Sequence, residues 1–335
     1  MTTSIVRASL TPRKLVQGLL MAVALVGSTC LQAADGDAIT DPTKGGADFK
    51  IQGEYLGKGP EETWGAQVIA LGDGNFDLVG FKGGLPGEGW RRGDETRRGT
   101  GKLEGDTAVV KTDEFVVKIK DGVLKVADPS GNQLAELKKV ERKSPTLGMA
   151  APAGATVLFD GSSADKFEKG KLVEGNLLGA TNCESKMKLG DHRLHIEFRT
   201  PFMPKARGQG RGNSGVYIQG RYECQVLDSF GLDGKNNECG GIYSQKEPAV
   251  NMCFPPLSWQ TYDIDFTAAK YDNAGKKTAN ARVSIKHNGV AIYENLEIAS
   301  ETPGFHKEGP GPDSLFLQDH GNPVAFRNIW VVEKK

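Results

Sequence analysis

The stretch Leu194-His195-Ile196-Glu197-Phe198-Arg199 alternates apolar and polar side chains without a break. Successive side chains of a strand point to opposite faces, so Leu194, Ile196 and Phe198 face one way and His195, Glu197 and Arg199 the other. Similar extended segments are expected over 193–200, 215–219, 222–228, 259–267, 281–287, 290–296, 314–318 and 325–332. Asn288-Gly289 is a type I′ hairpin signal between two of them, and Asp272-Asn273-Ala274-Gly275 is a further turn. About 180 residues of strands with no helical period predict a two-sheet sandwich of jelly-roll type.

Upstream, residues 48–142 read as a second, smaller β domain. Gly72-Asp73-Gly74-Asn75, Asp121-Gly122 and Asp128-Pro129-Ser130-Gly131-Asn132 punctuate it as turns. Phe115, Val117 and Ile119 alternate with Val116, Lys118 and Lys120, which gives one mainly buried face. Arg91, Arg92, Arg97 and Arg98 are expected in a solvated loop, because this half carries no basic excess to make an anion site. The Pro/Ala/Gly-rich run 144–155 reads as a linker. The expected organisation is a leader over 1–34, a small β-rich domain over 35–143, the linker, and the sandwich over 156–335. The fold class is all-β, and the 44 Gly and 16 Pro residues suit its many turns.

Lys+Arg and Asp+Glu are both 42, so no net field recruits nucleic acid or an anionic membrane. The first residues carry Arg7, Arg13 and Lys14, then an apolar run over 15–26, then Ala33-Ala34. That is the layout of a cleaved signal peptide, and the run is short of the roughly 20 residues that span a bilayer. The expectation is a secreted or periplasmic protein. Lipid attachment at Cys30 is disfavoured, since Gly27-Ser28-Thr29 lacks the usual preceding pattern. Export makes Cys183, Cys224, Cys239 and Cys253 candidates for disulfides. The short Cys239–Cys253 loop is the first pairing expected, leaving Cys183 with Cys224; buried free thiols are the alternative. With no C-x-x-C, neither a zinc ribbon nor a thioredoxin-type site is expected.

Three polar stretches offer chemistry. The row His195, Glu197, Arg199 lines a cleft if its face is concave and is merely solvated otherwise. In Gly212–Asp228, Glu223 and Gln225 share one strand face and reach one ligand, and Asp228 closes the strand. Whether Gln219 joins them depends on the turn length. Ser214 lacks the G-x-S-x-G elbow, and Gly208, Gly210 and Gly212 lack the strand-to-helix context of a dinucleotide fingerprint. In Leu315–Gly321, Gln318 and His320 lie on one side, and an imidazole is a natural base near neutral pH. The acidic loop 228–238 offers a place for a divalent cation such as calcium, without EF-hand spacing.

Leu158-Phe159-Asp160-Gly161, His195–Arg199, Gly212–Tyr217, Tyr222–Asp228, Leu317–Gly321 and Phe326–Ile329, in this order, resemble the 3-keto-disaccharide hydrolase domain family, a concanavalin-like jelly roll. The resemblance implies cleavage of glycosides oxidised to a ketone at carbon 3. Such a ketone acidifies the hydrogen on carbon 2, so the reaction needs a base there, a group that stabilises the enolate oxygen, and an acid for the leaving oxygen. Carried onto this chain, it implies proton transfer by His320 and Glu223, with Glu197 as a second acid or base. Asn213, Gln225, Gln318 and Arg327 would hold sugar hydroxyls or the carbonyl oxygen, and Asp228 would orient them or join a metal site. All are expected to meet in one pocket around a carbohydrate. The rival readings are a carbohydrate-binding module and an ordinary retaining glycosidase; the latter would need a carboxylate where Gln225 stands.

Overall fold

Eight strands follow one another around a closed barrel in the computed structural model, which describes Met1 and residues 38–334. The leader expected over 1–34, with Cys30, lies outside the described residues apart from Met1. The barrel strands are β1 (Gly53–Lys58), β2 (Thr63–Gly72), β3 (Asn75–Lys82), β4 (Thr96–Glu104), β5 (Thr107–Lys111), β6 (Val116–Lys120), β7 (Val123–Ala127) and β8 (Gln133–Val140). Each pairs antiparallel with the next and β8 returns to β1, so no edge is left open. Its tightest turns fall where the sequence puts them. Asp73-Gly74 and Asp121-Gly122 have positive φ at both central residues (54° and 71°, 50° and 75°), as type I′ turns require. Inward-facing Val68, Leu78, Val117, Ile119 and Leu124 line the lumen, and Phe202 and Leu257 of the following half pack into the same cluster.

The rest is a two-layer jelly roll. One sheet holds β9 (Thr156–Phe159), β11 (Leu172–Val173), β12 (Leu177–Gly179), β14 (His192–Arg199), β17 (Gln260–Thr267), β18 (Ala281–His287), β19 (Val290–Ile298) and β21 (Ala325–Glu333). The other holds β10 (Phe167–Glu168), β13 (Cys183–Leu189), β15 (Ser214–Ile218), β16 (Tyr222–Val226) and β20 (Asp313–Leu317). Asn288-Gly289 turns β18 into β19 with φ of 50° and 82°. Leu194, Ile196 and Phe198 face inward as the alternation predicts. They join Val216, Ile218, Cys224, Val226, Leu315 and Leu317 of the second sheet in one core. Tyr262 of β17 crosses that core, its hydroxyl donating to the Gln225 carbonyl at 2.6 Å. No helix among the described residues is long and apolar enough to cross a membrane.

Two expectations are corrected here. Cys183, Cys224, Cys239 and Cys253 are buried free thiols rather than disulfides. Cys183 pairs with Leu317, Leu317 with Val216, and Val216 with Cys224, so two strands separate the first cysteine from the second. At about 4.8 Å per strand they lie roughly 14 Å apart, far beyond the ~7 Å Cα separation a disulfide tolerates. Cys239 and Cys253 do meet, but as hydrogen-bonded thiols, with Cys239 Sγ also 3.2 Å from the Tyr262 hydroxyl. The second correction concerns the arginines. Arg92 donates to the carbonyls of Gly234 and Pro248 at 2.9 Å and of Ala249 at 3.2 Å, and Arg98 pairs with Asp233 at 2.6 Å. All four arginines are exposed, as expected, but Arg97 and Arg98 stand on β4 rather than in a loop, and Arg92 and Arg98 clasp the loop after β16. The run 144–155 is also tied down: Ser144 and Thr146 hydroxyls contact that of Thr261 at 2.6 and 3.1 Å.

Phe198 is fully buried between the sheets, 4.7 Å from Tyr262. Phe198→Ala is expected to cost about 3–5 kcal/mol, from lost transfer energy plus a cavity. A denaturant midpoint unchanged from the parent would show that this core does not carry the fold.

Candidate functional site

The inward turn of Leu194, Ile196 and Phe198 sends His195 and Glu197 out through the larger sheet. Glu197 receives Arg327 Nε at 2.7 Å, Asn328 Nδ2 at 2.9 Å and the Gly148 amide at 2.5 Å. Arg327 and Asn328 are consecutive and would face opposite ways on a regular strand. A β-bulge allows both to reach Glu197: the register of β14 against β21 slips between His195 and Glu197, and Asn328 takes φ 45°. His195 stacks on Trp330 at 5.1 Å and binds Asp263 Oδ1 through Nδ1 at 2.6 Å. The segment before β9 lies over this cluster. Thr146 donates to Asp263 at 2.7 Å, and the Met149 carbonyl receives Asn328 at 3.0 Å and Trp330 at 3.2 Å.

Burial alone would raise the Glu197 pKa, but His195, Asn328, Arg327 and the Gly148 amide outweigh it and lower it to about 2. For His195 the same contest runs the other way: burial lowers its pKa, and Asp263 and Glu197 raise it more. A carboxylate this well supplied with donors is a fixed anion at neutral pH. Arg327 is committed too, lying 4.0 Å over Trp259 as well as on Glu197.

The second polar set leaves through the smaller sheet. Tyr217 stands opposite Glu223, and Gly215 opposite Gln225, so Tyr217, Glu223 and Gln225 share the outer face. Gly215 is required there, since a Cβ would collide with Glu223 Oε1. Gln209, in the 3₁₀ turn Gly208–Gly210, receives Gln225 Nε2 at 3.0 Å and Asn213 Nδ2 at 3.2 Å on its Oε1. Gln318 reaches the Tyr217 hydroxyl at 3.3 Å. The chain beyond β20 is stitched to this face: Gln318 N donates to Gly215 O at 3.0 Å, and Asn213 N to Asn322 Oδ1 at 2.8 Å. His320 sits in that stitched loop, half-buried, with no hydrogen-bond or ionic partner among the described residues.

Burial raises the Glu223 pKa to about 7, and the Tyr217 hydroxyl offsets this only in part. No Lys or Arg pairs with Glu223 among the described residues. Burial, then the neighbouring Glu223 charge, push Tyr217 far above the ordinary phenol range, so it remains a proton donor. Gln225 Oε1 and Asn213 Oδ1 are buried acceptors without partners. The face thus holds a carboxyl that exchanges a proton near neutrality, a phenol, and two acceptors lacking donors, which hydroxyl groups of a ligand would supply.

The sequence expected one pocket; the structure has two outer faces. Glu223, Gln225, Asn213 and Gln318 share one face, and His320 lies in the loop two residues after Gln318. Glu197 and Arg327 do not join them, because the layer between holds Ile196, Phe198, Cys224 and Val226, and sheets pack about 10 Å apart. Gln219 is in the turn with φ 54°, donating to Leu189 O at 2.7 Å, and is outside the site. Asp228 is neutralised by Arg211 at 2.7 Å. Asp233 is spent on Arg98, and Glu238 on the amides of Gly234 and Lys235. The 228–238 loop therefore lacks a converging cation site, and no group of three or more His, Cys, Asp or Glu suited to a metal occurs among the described residues. Tyr217 and Gln209 went unnoticed in the sequence. Tyr217 was legible, since it interrupts the buried pair Val216 and Ile218 and must face outward.

Residues 154–332 match the family described as the 3-keto-alpha-glucoside-1,2-lyase-like domain. No curated protein matches the chain. A crystallised protein of Parabacteroides distasonis, provisionally classed as a glycosyl hydrolase, is 33% identical over 55% of this chain and 85% of its own, with a TM-score of 0.51. A second protein of that organism, provisionally classed alike, is 17% identical over 54% of this chain and 94% of its own, with a TM-score of 0.40.

The depressed Glu197 pKa has a stability consequence with a definite sign. Its contribution is complete above the ordinary value of 4.5 and is lost as pH falls towards about 2. Glu197→Gln is expected to be less stable than the parent at neutral pH and to lose less thermal midpoint between those two pH values. Parallel pH profiles for the two proteins would show that Glu197 is not held down.

Proposed function

The chain belongs to the 3-keto-alpha-glucoside-1,2-lyase-like domain family, and from that membership we propose that it is a glycoside-cleaving enzyme acting on sugars oxidised to a ketone at carbon 3. The observation that carries this reading is Glu223: a buried carboxyl without a cationic partner, raised to about 7, on the face that also holds the orphaned acceptors of Gln225 and Asn213.

In this scheme the Glu223 carboxylate removes the proton from carbon 2. The C–H electron pair becomes the enolate, whose negative charge rests on the carbonyl oxygen at carbon 3. The enolate collapses and expels the substituent at carbon 1, forming a double bond between carbons 1 and 2. His320, in the loop after β20, gives its proton to the leaving oxygen. Water then adds across the double bond, its hydroxyl to carbon 1 and a proton to carbon 2, releasing the free keto sugar. Tyr217 donates a hydrogen bond to the developing enolate oxygen, with Gln318 holding the phenol in place. Gln225 and Asn213 accept from sugar hydroxyls. A pKa near 7 suits the base, since a group of lower pKa would be a weaker acceptor and one much higher would be protonated. Glu197 takes no part, being an anion on the other face.

Substrate, variant and pH experiments test this. Incubated with a plain disaccharide and with its 3-keto form, the protein is expected to release free sugar from the keto substrate alone. Release from the plain disaccharide would make it an ordinary glycosidase, and binding without turnover a recognition module. Glu223→Gln is expected to lower kcat by about 10²–10⁴ without loss of fold. Parent activity should climb with pH through about 7 as the carboxyl loses its proton. Full turnover in both Glu223→Gln and His320→Ala would remove this site assignment while leaving the activity open.

A further inference from the structure

The N-terminal barrel touches the segments behind Glu223 through the arginine clasp and through the Ala70 and Leu71 carbonyls, which receive Arg211 and Arg207, and it also carries a cavity of its own. Phe202 and Leu257 join its core cluster. Towards the end that carries Gly59 to Glu62 the lumen holds a cavity of about 310 Å³ walled by Ala66, Leu78, Phe115, Val117, Leu124 and Leu137. That is twice the roughly 150 Å³ that accommodates one benzene ring, so the space suits two fused rings or a medium-length alkyl chain. It exists because inward positions near this end are small. Gly80 shares the face of Leu78, and a Cβ on it would make only ordinary contacts, 3.7–3.8 Å from Arg97 and Trp64. An up-and-down barrel of eight strands is wide enough for its side chains or for one small ligand, and here the side chains leave the lumen short.

The mouth has a defined charge pattern. Lys82 follows Leu78 and Gly80 on the inward face, and Arg97 stands opposite Gly80. Trp64, opposite Lys82, lies under Arg97, whose guanidinium carbon is 5.6 Å from the ring centre. Two cations and an indole therefore overhang the opening. Lys82 is held by Glu62 at 3.2 Å and Glu95 at 3.4 Å, and Arg97 by Glu95 at 3.1 Å and Glu114 at 3.7 Å, so an anionic head must displace these carboxylates. These pairs are substantially exposed, and solvent-screened pairs are weak, so an incoming anion can displace them.

We propose that the barrel is a binding site for a small amphipathic organic anion, its aromatic or alkyl body in the lumen and its acidic head between Lys82 and Arg97. The full-length protein is titrated with the anionic probe 1-anilinonaphthalene-8-sulfonate, followed by probe emission and by competition with decanoate. One saturable site per chain, emptied by decanoate, is expected. Gly80→Leu, which fills the lumen, should abolish it, and Ala135→Leu on the opposite wall serves as a second filling variant should the first lose its fold. Lys82→Glu combined with Arg97→Glu should weaken the anionic probe by about tenfold and spare the neutral probe N-phenyl-1-naphthylamine. Absence of saturable emission, or probe binding unchanged by a folded filling variant, overturns the site. Equal loss of both probes in the charge-reversed variant overturns the anionic head.

Discussion

A strand has two faces, and that constraint governs this molecule. Once Leu194, Ile196 and Phe198 turn against Val216, Ile218 and Cys224, the polar residues between them can leave only through one outer surface or the other. The sandwich core thus acts as an insulator. It separates two acidic side chains that look alike in sequence, Glu197 and Glu223, by a layer of hydrocarbon, and each takes its character from its own surface.

On the larger sheet, donors arrive from three directions: the bulged pair Arg327 and Asn328, the imidazole of His195, and the amide of Gly148. On the smaller sheet, Glu223 has burial and little else, with only a phenol beside it. Both groups lose water, and what differs is compensation. The compensated carboxylate anchors the chain between barrel and sandwich; the uncompensated one is free to trade a proton. Pairs of titratable groups driven apart in this way mark the division between architecture and chemistry.

Much of this was legible beforehand, for local reasons. The turns at Asp73-Gly74, Asp121-Gly122 and Asn288-Gly289 are set by residues that tolerate positive φ, and the alternation around Ile196 is a property of six consecutive side chains. Glu223, Gln225, Asn213 and Gln318 were read as one pocket with His320, Glu197, Asp228 and Arg327; strand pairing keeps the first four on one face and sends Glu197 and Arg327 to the other. What escaped was long-range. Which outer surface a strand presents depends on the sheet it joins. The slip at Asn328 depends on pairing between strands about 130 residues apart. The contacts of Arg92 escaped because its acceptors are backbone carbonyls, which leave no trace in residue type. The cysteines misled because cysteine count speaks of redox context but not of how many strands lie between two thiols.

The packing of Phe202 and Leu257 into the barrel bears on how such a protein is passed between genomes. Those two side chains belong to the jelly roll by position yet complete the core of its neighbour. Glu197 likewise takes one donor from the connecting segment at Gly148. A recombination event that lifted the catalytic half away as a self-contained cassette would expose an aromatic stump and strip an amide from a buried anion. Exchange of the N-terminal half for an unrelated module would leave both defects behind.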